Sequence, residues 1–86
     1  MWKRDIKYGL GCEVDYKKSD CRREPAHCHI TKNGIRVAQV WLDPVRTESG
    51  SSLDRSDQKE AERFVADHKY EIAREYEYNR EYGADY

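Results

Sequence analysis

Asn33 and Gly34 stand between two runs rich in strand formers, AHCHITK and IRVAQVWL. A two-residue type I′ turn needs positive φ at both central residues, and Asn-Gly suits both. The chain is therefore expected to reverse here as a tight antiparallel hairpin. A two-residue loop also sets a register: Ile30 faces Val37, His29 faces Ala38, His27 faces Val40 and Ala26 faces Trp41. Side chains alternate along a strand, so Ala26, Cys28, Ile30, Val37, Gln39 and Trp41 share one face. His27, His29, Ala38, Val40 and Leu42 share the other. Neither face is cleanly polar, so each is expected to be at least partly covered.

Before the hairpin, Trp2, Ile6, Tyr8, Leu10, Cys12, Val14 and Tyr16 occupy even positions, with charges at many odd ones. Period two signals a half-buried strand. The run is long for one strand, and Gly9 and Gly11 mark a bend, a bulge or a turn between two shorter ones. KKSDCRREP reads as loop, because it is polar and Pro25 disfavours helix in the residue before it. DPVRTESGSSLDRSD, after the hairpin, reads as a connection.

A single helix is expected from about residue 57 to 82. Asp57 with Glu60 resembles a helix start, and Ser56 competes as the cap. Ala61, Phe64, Val65, His68, Ile72 and Tyr76 form its apolar stripe, and Gly83 suits its end. At ~1.5 Å per residue it would run ~39 Å, so its last turns, EYEYNREY, should overhang the body. The fold class expected is α+β: an antiparallel sheet of three to four strands with one long C-terminal helix, in a single domain over residues 1–86.

The core should be thin. The 86 residues include four Ile, three Leu, five Val and one Phe, helped by seven Tyr and two Trp. A thin core often leans on a partner or a second copy, and both a protein partner and a homodimer are expected candidates. No apolar run approaches a membrane span, and the N-terminus lacks a signal-peptide core. A cytoplasmic protein follows, in which Cys12, Cys21 and Cys28 are free thiols. No C-x-x-C is present.

The histidines admit three readings. His27 and His29 project to the same side of a strand, so their rings could converge on a metal. Zinc needs a third and usually a fourth ligand. Cys28 points away, and no spacing selects among Cys12, Cys21, His68 and a carboxylate. No metal and no cofactor are therefore expected, and purified protein should carry no stoichiometric zinc. The second reading is catalytic. His27 and His29 would act on RNA, one taking the 2′-hydroxyl proton and the other protonating the leaving oxygen. Arg22, Arg23 and Arg36 are the candidate phosphate or RNA contacts. The basic side chains Lys17, Lys18, Arg22, Arg23, Lys32 and Arg36 cluster near the pair, although the pI of 6.3 lies below that of strongly basic nucleic-acid binders. The third reading is plain packing against Ala38 and Val40. Elsewhere, Trp41, Tyr76, Tyr78 and Tyr82 are candidates for a partner interface, since large aromatics dominate interface energetics.

The runs REPAHCHI, NG and VAQVWLDPV, followed by a charged helix, resemble domain-of-unknown-function family 4160, a family of small bacterial proteins. Pro25, His27, His29, Ala38, Trp41, Leu42, Pro44 and Val45 fit its pattern, while Ala26 replaces a proline and Gln39 a frequent lysine. The resemblance implies an α+β unit with a protein partner, and a place in toxin–antitoxin modules on mobile elements. The expected function is a small toxin–antitoxin-type protein acting through a partner and contacting or cleaving RNA. The alternative is a non-enzymatic inhibitor or adaptor, encoded on a phage or mobile element, that binds a host defence protein.

Overall fold

The computed structural model describes residues 2–85. It is α+β, with five antiparallel strands in sequence order: β1 (Lys3–Lys7), β2 (Leu10–Glu13), β3 (His27–Lys32), β4 (Ile35–Leu42) and β5 (Val45–Thr47). Three helices complete it: α1 (Lys18–Arg23), α2 (Arg55–Asp67) and α3 (Lys69–Tyr82). The sheet has one strand more than expected, because β5 follows β4 directly around Asp43-Pro44, a cis peptide. The N-terminal alternation resolves into β1 and β2, joined at Tyr8-Gly9, where Gly9 takes a positive φ of 76°.

Asn33 and Gly34 have φ of 52° and 84°, as the turn requires. The two pairs next to the turn, Lys32–Ile35 and Thr31–Arg36, keep the expected register. A bulge then intervenes. Ile30 pairs with Ala38, leaving Val37 as the extra residue, and beyond it His29 faces Gln39, Cys28 faces Val40 and His27 faces Trp41. This overturns the expected faces. Cys28, Ile30, Val40 and Leu42 now sit together in the core, each at most 2% exposed. His27 and His29 share the opposite face with Gln39 and Trp41. The bulge reconciles the turn with the core: a two-residue loop alone would have set Val40 opposite a histidine and Trp41 opposite Ala26.

The expected single helix is two. The chain leaves helical geometry at His68 (φ −113°, ψ 18°), whose Nδ1 lies 2.9 Å from the Phe64 carbonyl already used by its own backbone N–H. The His68 ring stacks on Phe64, 4.0 Å between centroids. The break lets both halves of the stripe reach the core, and Ala61, Val65, Ile72 and Tyr76 are fully buried. α2 is capped by Asp54, whose Oδ1 accepts the Asp57 N–H at 2.8 Å, rather than by Ser56 or Asp57.

The supposed loop before Pro25 contains α1, which ends at Arg23, two residues short of the proline, as proline's constraint on its neighbour demands. Against α1 packs the end of α3. The Lys18 N–H donates to the Ala84 carbonyl at 2.9 Å, and Arg80 Nε to the Cys21 carbonyl at 3.3 Å. The end of α3 therefore closes on the body and does not overhang it. Trp2 folds back into the core, with its Nε1 donating to Glu71 at 2.8 Å.

Candidate functional site

The face of β3 opposite the core opens into a cleft of about 200 Å³, lined by Asp15, Asp20, Arg23, Glu24, His27, His29, Arg36 and Gln39. At its floor is a residue that sequence reasoning did not single out, Asp15. Its Oδ2 lies 2.9 Å from His29 Nε2 and 3.3 Å from His27 Nε2. Its Oδ1 accepts from Arg36 Nη1 at 2.9 Å, and Arg36 Nε reaches Glu13 at 2.7 Å. Each carboxylate oxygen thus has its own work.

Three elements bring these groups together. The period-two placement of β3 aligns the histidines, which meet edge to face with 5.1 Å between ring centroids. The extended segment after β2 carries Asp15 alongside them. That segment is pinned from behind, because the Asp15 carbonyl accepts from Asn79 Nδ2 of α3 at 2.9 Å and from the Cys21 thiol of α1 at 3.4 Å. Asp15 and Asn79 are both buried. The signal for Asp15 was its place as an odd-numbered charge among even-numbered apolar residues, on the same side of the strand path as Glu13.

The two histidines are not equivalent. His27 is 3% exposed and held at both ring nitrogens, Nδ1 lying 2.9 Å from the Pro25 carbonyl. Trp41 and Tyr76 flank its ring at 5.4 and 5.2 Å. Burial opposes its charging, yet the bonds to Asp15 and to the Pro25 carbonyl raise its pKa above the ordinary value of 6.5. His29 bonds only through Nε2. Its side chain is 15% exposed and lines the cleft. The hydrogen bonds from His27 and His29, with Arg36 beside them, hold the Asp15 carboxyl far below the usual carboxylate range.

Of the expected anion contacts, Arg23 and Arg36 line the cleft. Arg22 does not: its Nε is spent on the Arg80 carbonyl at the α1–α3 contact. His68 stacks on Phe64, away from the cleft. Cys12 and Cys28 lie in the core, where the hydrogen bond of the Cys28 thiol to Cys12, together with burial, pushes that thiol well above its ordinary pKa. Burial raises Cys21 to about 11. Tyr76, expected on a partner surface, is fully buried and donates its hydroxyl to the Glu24 carbonyl at 2.8 Å. Trp41 is half-buried, with Nε1 on Glu48 at 2.9 Å. Tyr78 and Tyr82 are exposed, their rings 5.2 Å apart.

The expectation of no metal rested on a missing third ligand. Asp15, His27 and His29 now offer three ligand atoms within 4.8 Å of one another.

Residues 16–77 match the family model described as a domain of unknown function, DUF4160. The chain belongs to this family. Both histidines, the hairpin, Trp41 and most of α3 fall inside the match, whereas Asp15 stands just before its first residue. No curated protein and no solved structure matches the chain. Among the described residues, no helix is long and apolar enough to cross a membrane.

Proposed function

We propose that this DUF4160 protein is a small cytoplasmic toxin–antitoxin-type protein, active with a protein partner, whose cleft cleaves RNA with His29 as the proton-transfer group. One observation carries the reading: Asp15 holds His29 through Nε2, in a ring that lines the cleft. A carboxylate that fixes one imidazole nitrogen orients the other as a base. In this reading Nδ1 takes the proton of a 2′-hydroxyl, the 2′ oxygen forms its bond to phosphorus, and the bond to the 5′ oxygen breaks. The products are a 2′,3′-cyclic phosphate and a 5′-hydroxyl, whose proton comes from water in the open cleft. His27, bonded at both nitrogens, is a positioning residue, so the two-histidine version of the chemistry gives way to a one-histidine version. Arg23 at the rim and the remaining nitrogen of Arg36 supply the phosphate contacts.

Expression in bacterial cells tests this. The intact chain should arrest growth and degrade RNA, and His29→Ala should do neither at equal abundance. Growth arrest that persists in His29→Ala would overturn it.

A second reading rests on Tyr70, Tyr78 and Tyr82, exposed along α3. Rigid aromatic rings there suit a contact surface for a host protein, and a non-enzymatic inhibitor would use them without the cleft. Tyr78→Ser with Tyr82→Ser should then abolish the cellular effect while His29→Ala leaves it intact.

A further inference from the structure

We propose that Asp15 Oδ2, His27 Nε2 and His29 Nε2 form a binding site for one divalent transition-metal ion of the zinc class. The inference goes beyond the RNA reading and does not rest on it, since it concerns what the three side chains bind whether or not RNA is cut.

Hydrogen-bond accounting comes first. The Pro25 carbonyl can only accept, so His27 Nδ1 carries the proton that it donates there. In the neutral ring Nε2 then presents a lone pair. It points at Asp15 Oδ2, which also only accepts, 3.3 Å away. With that ring neutral two acceptors would face each other, so something positive lies between them: the second ring proton donated to Asp15 in the metal-free protein, or a cation in its place. A histidine whose far nitrogen donates to a backbone carbonyl is the arrangement in which proteins hold metal-ligating imidazoles.

The spacing agrees. Bonds of 2.0–2.2 Å to a tetrahedral ion place ligand atoms roughly 3.4 Å apart. The two oxygen–nitrogen separations are 2.9 and 3.3 Å, and all three atoms lie within 4.8 Å of one another. The two oxygen–nitrogen pairs already stand near that spacing, and the two rings would close on the ion within the 4.8 Å limit. The carboxylate is also pre-oriented, because Arg36 occupies Oδ1 and leaves Oδ2 to the ion. Two imidazoles and one carboxylate suit zinc, cobalt or nickel rather than magnesium or calcium, which prefer oxygen. The cleft supplies the open fourth position, where water would sit. The cleft's own cations are met by carboxylates, Arg23 by Asp20 and Arg36 by Glu13 as well as Asp15, and Glu24 adds a further negative charge at the rim.

Binding has a consequence for His29. Its Nε2 becomes a ligand, so its ring proton moves to Nδ1, the nitrogen assigned above to proton transfer. The metal-bound and proton-transferring forms are therefore alternative states of one centre, and zinc should silence the cleavage proposed above.

The test is a titration of the purified, metal-stripped full chain with Zn²⁺ and with Co²⁺, followed by calorimetry and by visible absorption. The expected result is one ion per chain, the intense visible bands of four-coordinate Co²⁺, and no thiolate charge-transfer band. His29→Ala, at a partly exposed position, should retain its circular dichroism and lose affinity by at least roughly 100-fold, the upper end of what loss of a mere supporting partner costs. Asp15→Asn provides the second ligand variant. Failure of the wild type to bind either ion, binding unchanged in both folded variants, or a thiolate band would each overturn the proposal. Metal binding without RNA cleavage would uphold this site and sink the RNA reading. Cleavage by a protein that binds no metal would do the reverse.

Discussion

Asn79, on the last turns of α3, donates its Nδ2 to the backbone carbonyl of Asp15 at 2.9 Å, and both residues are buried. The C-terminal helix thus fixes the backbone of the residue whose carboxylate gathers both histidines. Asn79→Ala should leave that carbonyl with only the weaker thiol contact from Cys21. The expected loss is about 1–3 kcal/mol, the cost of a buried polar group deprived of its partner. Urea denaturation measures it, and an unchanged midpoint would mean that α3 does not support the site.

Gly34 tests the hairpin. A side chain there would meet nothing within 4 Å, so any penalty belongs to the backbone. Its φ of 84° is strained for a β-branched residue, and Gly34→Val should cost more than ~1 kcal/mol. Thermal melting checks this, and an unaltered melting temperature would argue against the turn geometry.

Gly83 behaves differently. Its φ of −70° is ordinary, yet a Cβ would collide with the carbonyl oxygens of Asn79 and Tyr16. Gly83→Ala should therefore destabilise by crowding where α3 closes on the strand path, by roughly 1–3 kcal/mol as overpacking generally does. The same denaturation series reads it out, and an unchanged midpoint would contradict the crowding.

Asp57 sets an acid limit. Lys32 and Lys7 approach its carboxylate at 2.6 and 2.8 Å, and these bonds lower its pKa. A folded-state pKa below the unfolded one stabilises the protein above the unfolded value, and this contribution is lost as pH falls through the folded value. Stability should decline on acidification from roughly pH 5 downward, and Asp57→Asn should flatten that decline. Stability profiles of the same slope in the wild type and in the Asp57→Asn variant would contradict the assignment.

The bulge at Val37 shows how far the sequence was legible. Asn-Gly revealed the hairpin, and the first two pairs follow from it. Yet the apolar residues Cys28, Ile30, Ala38, Val40 and Leu42 all fall on even numbers, and a two-residue loop pairs even with odd. Satisfying both the turn and the core needs one inserted residue, so the conflict itself carried the signal. The break at His68 was harder to see, because the apolar stripe runs on through it. What interrupts the helix is a side chain competing for the Phe64 carbonyl, a local contact that periodicity does not register. β5 was hidden by its polar, three-residue length. In the site, the histidine pair was visible as a strand pattern. Asp15 was not, because its approach to β3 depends on where α1 and α3 pin the chain after β2.

The central claim is that Asp15 orients His29 for proton transfer while His27 only supports it. Cleavage of RNA by the purified chain, in the presence of a chelator and with comparison of His29→Ala, His27→Gln and Asp15→Asn, tests it most directly. The wild type should leave 2′,3′-cyclic phosphate ends, His29→Ala should lose roughly 10²–10⁴-fold in rate, and a folded His27→Gln should lose less. Cleavage by His29→Ala at the wild-type rate, or no cleavage by the wild type with or without its partner, would contradict it.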